Sequence, residues 1–291
     1  MTGLILGTAQ FGTGYGITNS VGRLPDETVR DILEVAAVSG IDLFDTAPDY
    51  GDAQFRLGAL RGSAAATGYV SKFGLPSDAV TPSNLFGESL NALGVSSLYG
   101  LLFHRPLDLR DERASEAWDV LRAARAEARV ARIGASIYDV DDLAVVVDRF
   151  PDLDLIQVPG NIVDRRLLDH PVLSQLHERG VEIHVRSAYL QGLLLTAPEA
   201  VPKQLAGLKP AIASLAAASA ASGASVLELV LGFLKNHENV DAVLVGALSG
   251  AELHDTVAAW NRISASDFAV EVPVVDDELL DPRRWPARSA S

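Results

Sequence analysis

Short apolar runs recur along the chain, each closing on glycine or a titratable residue, and each is followed by a longer stretch whose apolar positions repeat at helical spacing. The runs predict strands at Leu4–Gln10, Asp42–Thr46, Gly68–Phe73, Leu98–His104, Arg132–Ile137, Leu153–Val158, Glu182–Ala188 and Ala242–Gly246. The stretches predict helices at Asp26–Ser39, Ala53–Leu60, Pro82–Leu93, Glu112–Arg129, Val140–Arg149, Arg165–Arg179, Pro210–Lys235 and Gly250–Arg262. Roughly eight strands alternating with roughly eight helices predict an α/β fold of the (β/α)8 TIM barrel type, with inward side chains filling the core and the loops at the C-terminal strand ends free to carry chemistry. The order fits one barrel domain over residues 1–291, with an irregular tail from about 263 that wraps the barrel or covers its mouth. A doubly wound open sheet alternates in the same way, but the glycines of Gly3–Gly16 do not form a GxGxxG opening a helix. Ala211–Ala224, rich in Ala and Ser, reads as the solvent side of a helix.

Composition narrows the partners. The chain has 48% hydrophobic residues over 291 positions and no long apolar run of the kind that spans a bilayer, so it has ample material for a core. Met1–Gly12 lacks a basic leader-like segment and no cysteine is present, which predicts a cytoplasmic protein without disulfides or thiolate chemistry. A formal net charge of -14 opposes binding to nucleic acid or an anionic membrane. The expected partner is a small molecule, and the expected assembly a monomer or small homo-oligomer.

Lys72 is the sharpest chemical signal. The chain writes nearly all its basic positions as Arg, yet places this lysine at the end of the third strand, and none other precedes Lys203. A lysine is a compact point charge able to depress a neighbour's pKa. Candidate neighbours stand at adjacent strand ends: Asp45 and Tyr50 in FDTAPDYG, and His104 in LLFHRP. Each has an ordinary alternative, with Asp45 capping a turn, Tyr50 as a rim aromatic and His104 as a satisfied core histidine. Together they make an acid–base set on one face of a barrel. In that set Lys72 draws the Tyr50 phenol toward working pH, Asp45 holds Lys72 cationic, and His104 orients a carbonyl. The six histidines show no HxH or HExxH spacing, which argues against a metal-dependent hydrolase or lyase.

With these residues in view the chain resembles the aldo-keto reductase superfamily. LILGTAQFG, FDTAPDYG, YVSKFG, LLFHRP, IGASIY, IQVPGN, HVRSAYLQGLLL and AVLVGALSGAEL stand in that family's order. The resemblance implies Tyr50 as general acid/base, Lys72 and Asp45 as its activating pair, and His104 as the carbonyl-orienting residue. It places Ser136 and Gln157 on the nicotinamide carboxamide of the cofactor. Gly7 and Thr8, Arg186 and Ser187, Gly192 and Leu193, and Gly246, Ala247 and Ser249 join the cofactor contacts, with the helix from Gly250 offering amides to phosphate. Substrate-lining candidates are Phe11, Tyr15, Asp49, Phe73 and Arg105.

Three departures stand out. Ile137 occupies the position where members commonly have Asn. Arg186 stands where many place an aromatic beneath the nicotinamide, and either stacks there or binds an acidic substrate. Too few residues precede the first strand for a substantial N-terminal plugging hairpin. Gly246 and Glu252 fall where phosphate-selective members carry Lys and Arg, leaving NADP(H) and NAD(H) both open. The implied activity is an NAD(P)(H)-dependent oxidoreductase acting on an aldehyde or ketone, or on the alcohol in reverse. The alternative is a non-catalytic nicotinamide-binding regulatory subunit, whose mark would be a missing tetrad member.

Overall fold

The computed structural model describes residues 2–60, 68–75, 82–263 and 270–285. Eight parallel strands close into a barrel in sequence order, β1 pairing with both β2 and β8. The strands are β1 (Gly3–Gly7), β2 (Leu43–Asp45), β3 (Gly68–Phe73), β4 (Leu98–Phe103), β5 (Val130–Ser136), β6 (Leu155–Pro159), β7 (Glu182–Arg186) and β8 (Ala242–Val245). The helices are α1 (Ala9–Gly12), α2 (Asp26–Val38), α3 (Ala53–Leu60), α4 (Pro82–Leu93), α5 (Ala114–Ala126), α6 (Val140–Arg149), α7 (Pro171–Glu178), α8 (Lys209–Ser222), α9 (Val226–Lys235), α10 (Gly250–Arg262) and α11 (Asp277–Leu280).

The alternation of strand side chains explains how the site is placed. Val70, Leu102 and Leu155 touch one another although β6 is not a neighbour of β3 or β4, so these three point into the barrel. Leu43 packs on this group and on Ile5, Ala242 and Leu244 of β1 and β8, completing an inward apolar layer. Successive inward positions are two residues apart. The next inward residues toward the C-terminal end are therefore Gly7, Asp45, Lys72, His104, Gln157 and Gly246, polar groups and glycines standing directly above an apolar floor. Outward positions such as Phe73, Phe103 and Val185 instead pack against the helices with Trp118 and Phe150. At the opposite end Tyr99 donates to both Glu182 carboxylate oxygens at 2.7 Å, Arg132 pairs with the same carboxylate at 3.2 Å, and His184 stacks on Tyr99.

Several boundaries depart from the sequence reading for local reasons. β1 stops at Gly7 because the Thr8 amide and hydroxyl both turn to the Asp45 carbonyl, at 3.0 and 2.8 Å, and Ala9–Gly12 form a helical turn. The expected helix Pro210–Lys235 is two helices. Gly223 takes the left-handed conformation (φ 78°), and Ser225 with Glu228 forms a capping box that starts α9. The helix expected from Arg165 begins only at Pro171, since a residue before proline is driven out of the helical region and His170 sits at φ -79°, ψ 128°. α8 buries Ala211, Ile212 and Leu215 and turns its remaining Ala and Ser positions outward or partly so. The stretch Lys203–Ser222 has the length and composition of a membrane span, at a mean hydropathy of 1.2. Its leucines Leu205 and Leu208, however, belong to a packed cluster with Leu190, Leu193 and Leu194. The described part of the tail is not irregular throughout: Val275 and, in α11, Leu280 join that cluster, and Arg283 reaches the ring of Tyr138 at the barrel mouth.

Candidate active site

A cleft of about 590 Å³ opens at the C-terminal ends of the strands. Tyr50, Asp45, His104, Ser136, Gln157 and Arg186 line one end, and Gly246, Ala247, Glu252 and Thr256 the other. Lys72 lies beneath the first end, almost wholly buried. Its ammonium donates to Asp45 Oδ1 at 2.5 Å, to the Thr46 carbonyl at 3.3 Å and to the Tyr50 hydroxyl at 3.3 Å. The second Asp45 oxygen accepts from Gln157 Nε2 at 2.8 Å, and Ser136 donates to Gln157 Oε1 at 3.4 Å. A continuous chain thus runs from Ser136 through Gln157, Asp45 and Lys72 to the phenol. His104 meets Tyr50 edge-on, with ring centroids 5.6 Å apart. Its Nδ1 lies 3.2 Å from an Asp49 carboxylate oxygen, an ion-pair distance without the alignment of a hydrogen bond. The imidazole beside it holds the Asp49 carboxyl below its usual range.

The electrostatics differ from expectation. Burial pushes the Tyr50 phenol well above its ordinary value, the Asp45 carboxylate adds to the rise, and Arg186 pulls the other way. Lys72 does not reverse this because its charge is matched by Asp45 at 2.5 Å, so the phenol faces a nearly neutral pair. Burial also lowers the proton affinity of Lys72, against which Asp45 works.

A family model described as the aldo/keto reductase family matches residues 82–270. The chain belongs to the aldo/keto reductase family. It is similar to L-galactose dehydrogenase of Arabidopsis thaliana, at 25% identity over 90% of this chain and 88% of that protein. An aldo-keto reductase from Bacillus halodurans, solved in its holo form, superposes with a TM-score of 0.73 at 20% identity, covering 95% of this chain and 94% of the other. A glycerol dehydrogenase from Gluconobacter oxydans gives 0.67 at 19% identity, over 91% and 93%. At those identities the two structures speak for the barrel fold, and kinship to the family makes the protein an oxidoreductase.

Within this aldo/keto reductase the sequence-predicted residues separate into three groups. The tetrad, Gly7, Thr8, Tyr15, Ser136, Gln157, Arg186, Ser187, Gly192, Gly246, Ala247 and Glu252 gather on or under the cleft. Asp49 and Arg105 line an adjoining cleft of about 490 Å³ with His104, Tyr138 and Arg283. Four others stand away from both. Phe73 follows inward-facing Lys72, so strand alternation turns it outward onto Phe103. Phe11 is fully buried against the helices, its carbonyl held by Arg56. Leu193 is buried in the cluster beside α8, and the Ser249 hydroxyl is spent capping α10 through the Glu252 amide at 3.2 Å.

The structure also brings in residues that the sequence reading passed over. Gln191, in left-handed backbone at φ 55°, accepts from the Ile17 amide and from the Thr18 hydroxyl at 2.9 Å each, joining the loop after β1 to the loop after β7. Tyr138 lies at the junction of the two clefts. A run of non-glycine residues ahead of Gly192 in left-handed backbone has no sequence signature, whereas an aromatic just past a strand end was visible.

Gln157 is the clamp on Asp45, and its removal has a measurable cost. Gln157→Leu leaves a buried carboxylate oxygen without its donor, which lowers the unfolding free energy by about 1–3 kcal/mol. Urea denaturation reads this directly, and a midpoint equal to wild type removes Gln157 from that role.

Proposed function

We propose that the protein is an NAD(P)(H)-dependent oxidoreductase that interconverts an aldehyde or ketone with its alcohol, Tyr50 moving the proton. The observation that carries this reading is the buried chain from Gln157 through Asp45 and Lys72 to the Tyr50 hydroxyl, at the end of a long cleft that His104 also lines. A nicotinamide dinucleotide fits the donor set, with the Ser136–Gln157 pair at the reacting end and the Gly192 and Gly246–Ala247 loops beyond; when bound, it supplies or accepts the hydride. Tyr50 then donates its proton to the oxygen at which negative charge develops, and His104 orients that oxygen from its place beside the ring. Lys72 stabilises the phenolate left behind, and Asp45 keeps Lys72 charged and in place.

A regulatory, non-catalytic role is disfavoured because all four tetrad members are present and gathered at one end of the cleft. The relatives' names point toward sugar and polyol alcohols, so the test is a panel of aldoses, small polyols, and aliphatic and aromatic aldehydes, followed at the nicotinamide absorbance with each cofactor. Turnover of none of them in either direction removes the enzymatic reading.

The far end of the cleft supports NAD(H) over NADP(H). Around the start of α10 the Glu252 carboxylate accepts the Leu248 amide at 2.8 Å, and the Asp31 carboxylate accepts the Gly250 amide at 3.0 Å. Asp255 lines the same end, and among the described residues Arg186, at the other end, is the only Lys or Arg on the cleft. A ribose 2′-phosphate there meets carboxylates already holding the helix amides, whereas a 2′-hydroxyl can donate to one. Glu252→Arg is expected to shift preference toward NADP(H) by about 1.5–3 kcal/mol in the kcat/KM ratio, roughly ten- to a hundredfold. An unchanged ratio places the ribose elsewhere.

A further inference from the structure

The cations around the reacting end are paired with carboxylates, with one exception. Lys72 is matched by Asp45 at 2.5 Å, Arg105 by Asp108 at 3.0 Å, Arg110 by Asp142 at 2.6 Å and Arg283 by Asp281 at 2.7 Å. Arg186 has no carboxylate partner among the described residues. Its Nη2 donates to the Ile137 carbonyl at 2.8 Å, and its guanidinium carbon lies 3.9 Å from the centroid of the Tyr138 ring. Arg283, itself paired with Asp281, lies against the same ring at 3.8 Å, so Tyr138 is held between the two guanidinium groups. One carbonyl and one aromatic face fix the fork in place and leave its remaining N–H donors to the cleft.

We propose that Arg186 is the anion receptor of the reacting end, and that the preferred substrate is an aldehyde or ketone carrying a carboxylate close to its carbonyl. The inference rests on the carbonyl-reducing reading above. A guanidinium fork grips a planar carboxylate with two parallel hydrogen bonds, which fixes orientation as well as affinity. The anion belongs to the substrate rather than to a cofactor phosphate because Arg186 stands among the reacting groups. It lines the cleft beside Tyr50, His104 and Ser136 and is held by the carbonyl of Ile137, the residue after Ser136, whereas the far end is lined by Glu252 and Asp255. Arg186 is thus a specificity residue, and Tyr138 with Arg283 positions it.

The test compares matched pairs: succinic semialdehyde with its amide, and formylbenzoate with formylbenzamide, in wild type, Arg186→Met and Arg186→Lys. Wild type is expected to favour the acid of each pair by about ten- to a hundredfold in kcat/KM. In Arg186→Met the acid-to-amide ratio falls to near one, and Arg186→Lys keeps an intermediate ratio. Calorimetry with benzoate and benzamide reads the same preference without turnover, and fluorescence titration gives the cofactor dissociation constant. Reduction of these carbonyls with no acid preference overturns the proposal. So does an Arg186→Met variant that loses cofactor affinity by the factor it loses acid affinity, since the anion is then the cofactor's phosphate. If nothing is turned over but benzoate binds better than benzamide in an Arg186-dependent way, the receptor stands and the oxidoreductase reading falls.

Discussion

Tyr50→Phe is expected to lower turnover by about 10²–10⁴-fold while leaving cofactor affinity near wild type, because the ring and its contact with His104 remain and only the proton is removed. The phenol's raised proton affinity gives the pH dependence a definite sign. Burial and Asp45 hold Tyr50 in its O–H form well above its ordinary titration range. In the proposed mechanism reduction needs the proton on the phenol, so it is expected to be flat across neutral pH and to fall only in the alkaline range. Oxidation of the alcohol needs the phenolate and rises with pH through that range. In Tyr50→Phe both dependences should vanish along with the rate. Steady-state kinetics in each direction from neutral to alkaline pH checks this, and a variant with wild-type reduction rates removes Tyr50 from the mechanism.

The barrel and the gathering of Asp45, Tyr50, Lys72 and His104 at its mouth were readable because their information is local. Strand period, the lone Lys72, and the glycines and titratable residues that close each run sit within a few positions of one another. Alternation alone, counted from the inward leucines Leu43, Leu102 and Leu155, selects Asp45, His104 and Gln157, and the same count shows Phe73 facing the helices. What escaped depends on contacts between distant segments. Gln157 reaches Asp45 across the barrel from 112 positions away, and Arg186 meets Arg283 only through the ring of Tyr138. The Tyr50 phenol went wrong for the same reason. Lys72 lies beside it as expected, but the net field depends on how tightly Asp45 pairs with Lys72 and on how deeply all three are buried. The N-terminal end of α10 was legible as a helix start, while the carboxylates that fill it come from α10 itself and from Asp31 of α2.

Lys72→Met should cost about as much as Tyr50→Phe, on the order of 10²–10⁴-fold in turnover, and the double variant little more than either alone. In the proposed mechanism the two residues serve one step: the phenol gives up a proton, and the ammonium 3.3 Å away stabilises the oxygen left behind. Losing either partner removes that step whole, so the second loss has little left to remove. Lys72→Met carries a further consequence that Tyr50→Phe does not. It leaves the Asp45 carboxylate buried with Gln157 alone as its side-chain donor, and an unpaired buried charge is strongly destabilising, typically by about 3–5 kcal/mol. The companion variant Asp45→Asn with Lys72→Met removes both charges and should recover much of that stability without recovering turnover. Urea denaturation therefore separates the structural share from the chemical one, and single-turnover rates in the folded fraction measure the chemistry. Losses that multiply in the Tyr50→Phe, Lys72→Met double variant would show that phenol and ammonium act in different steps.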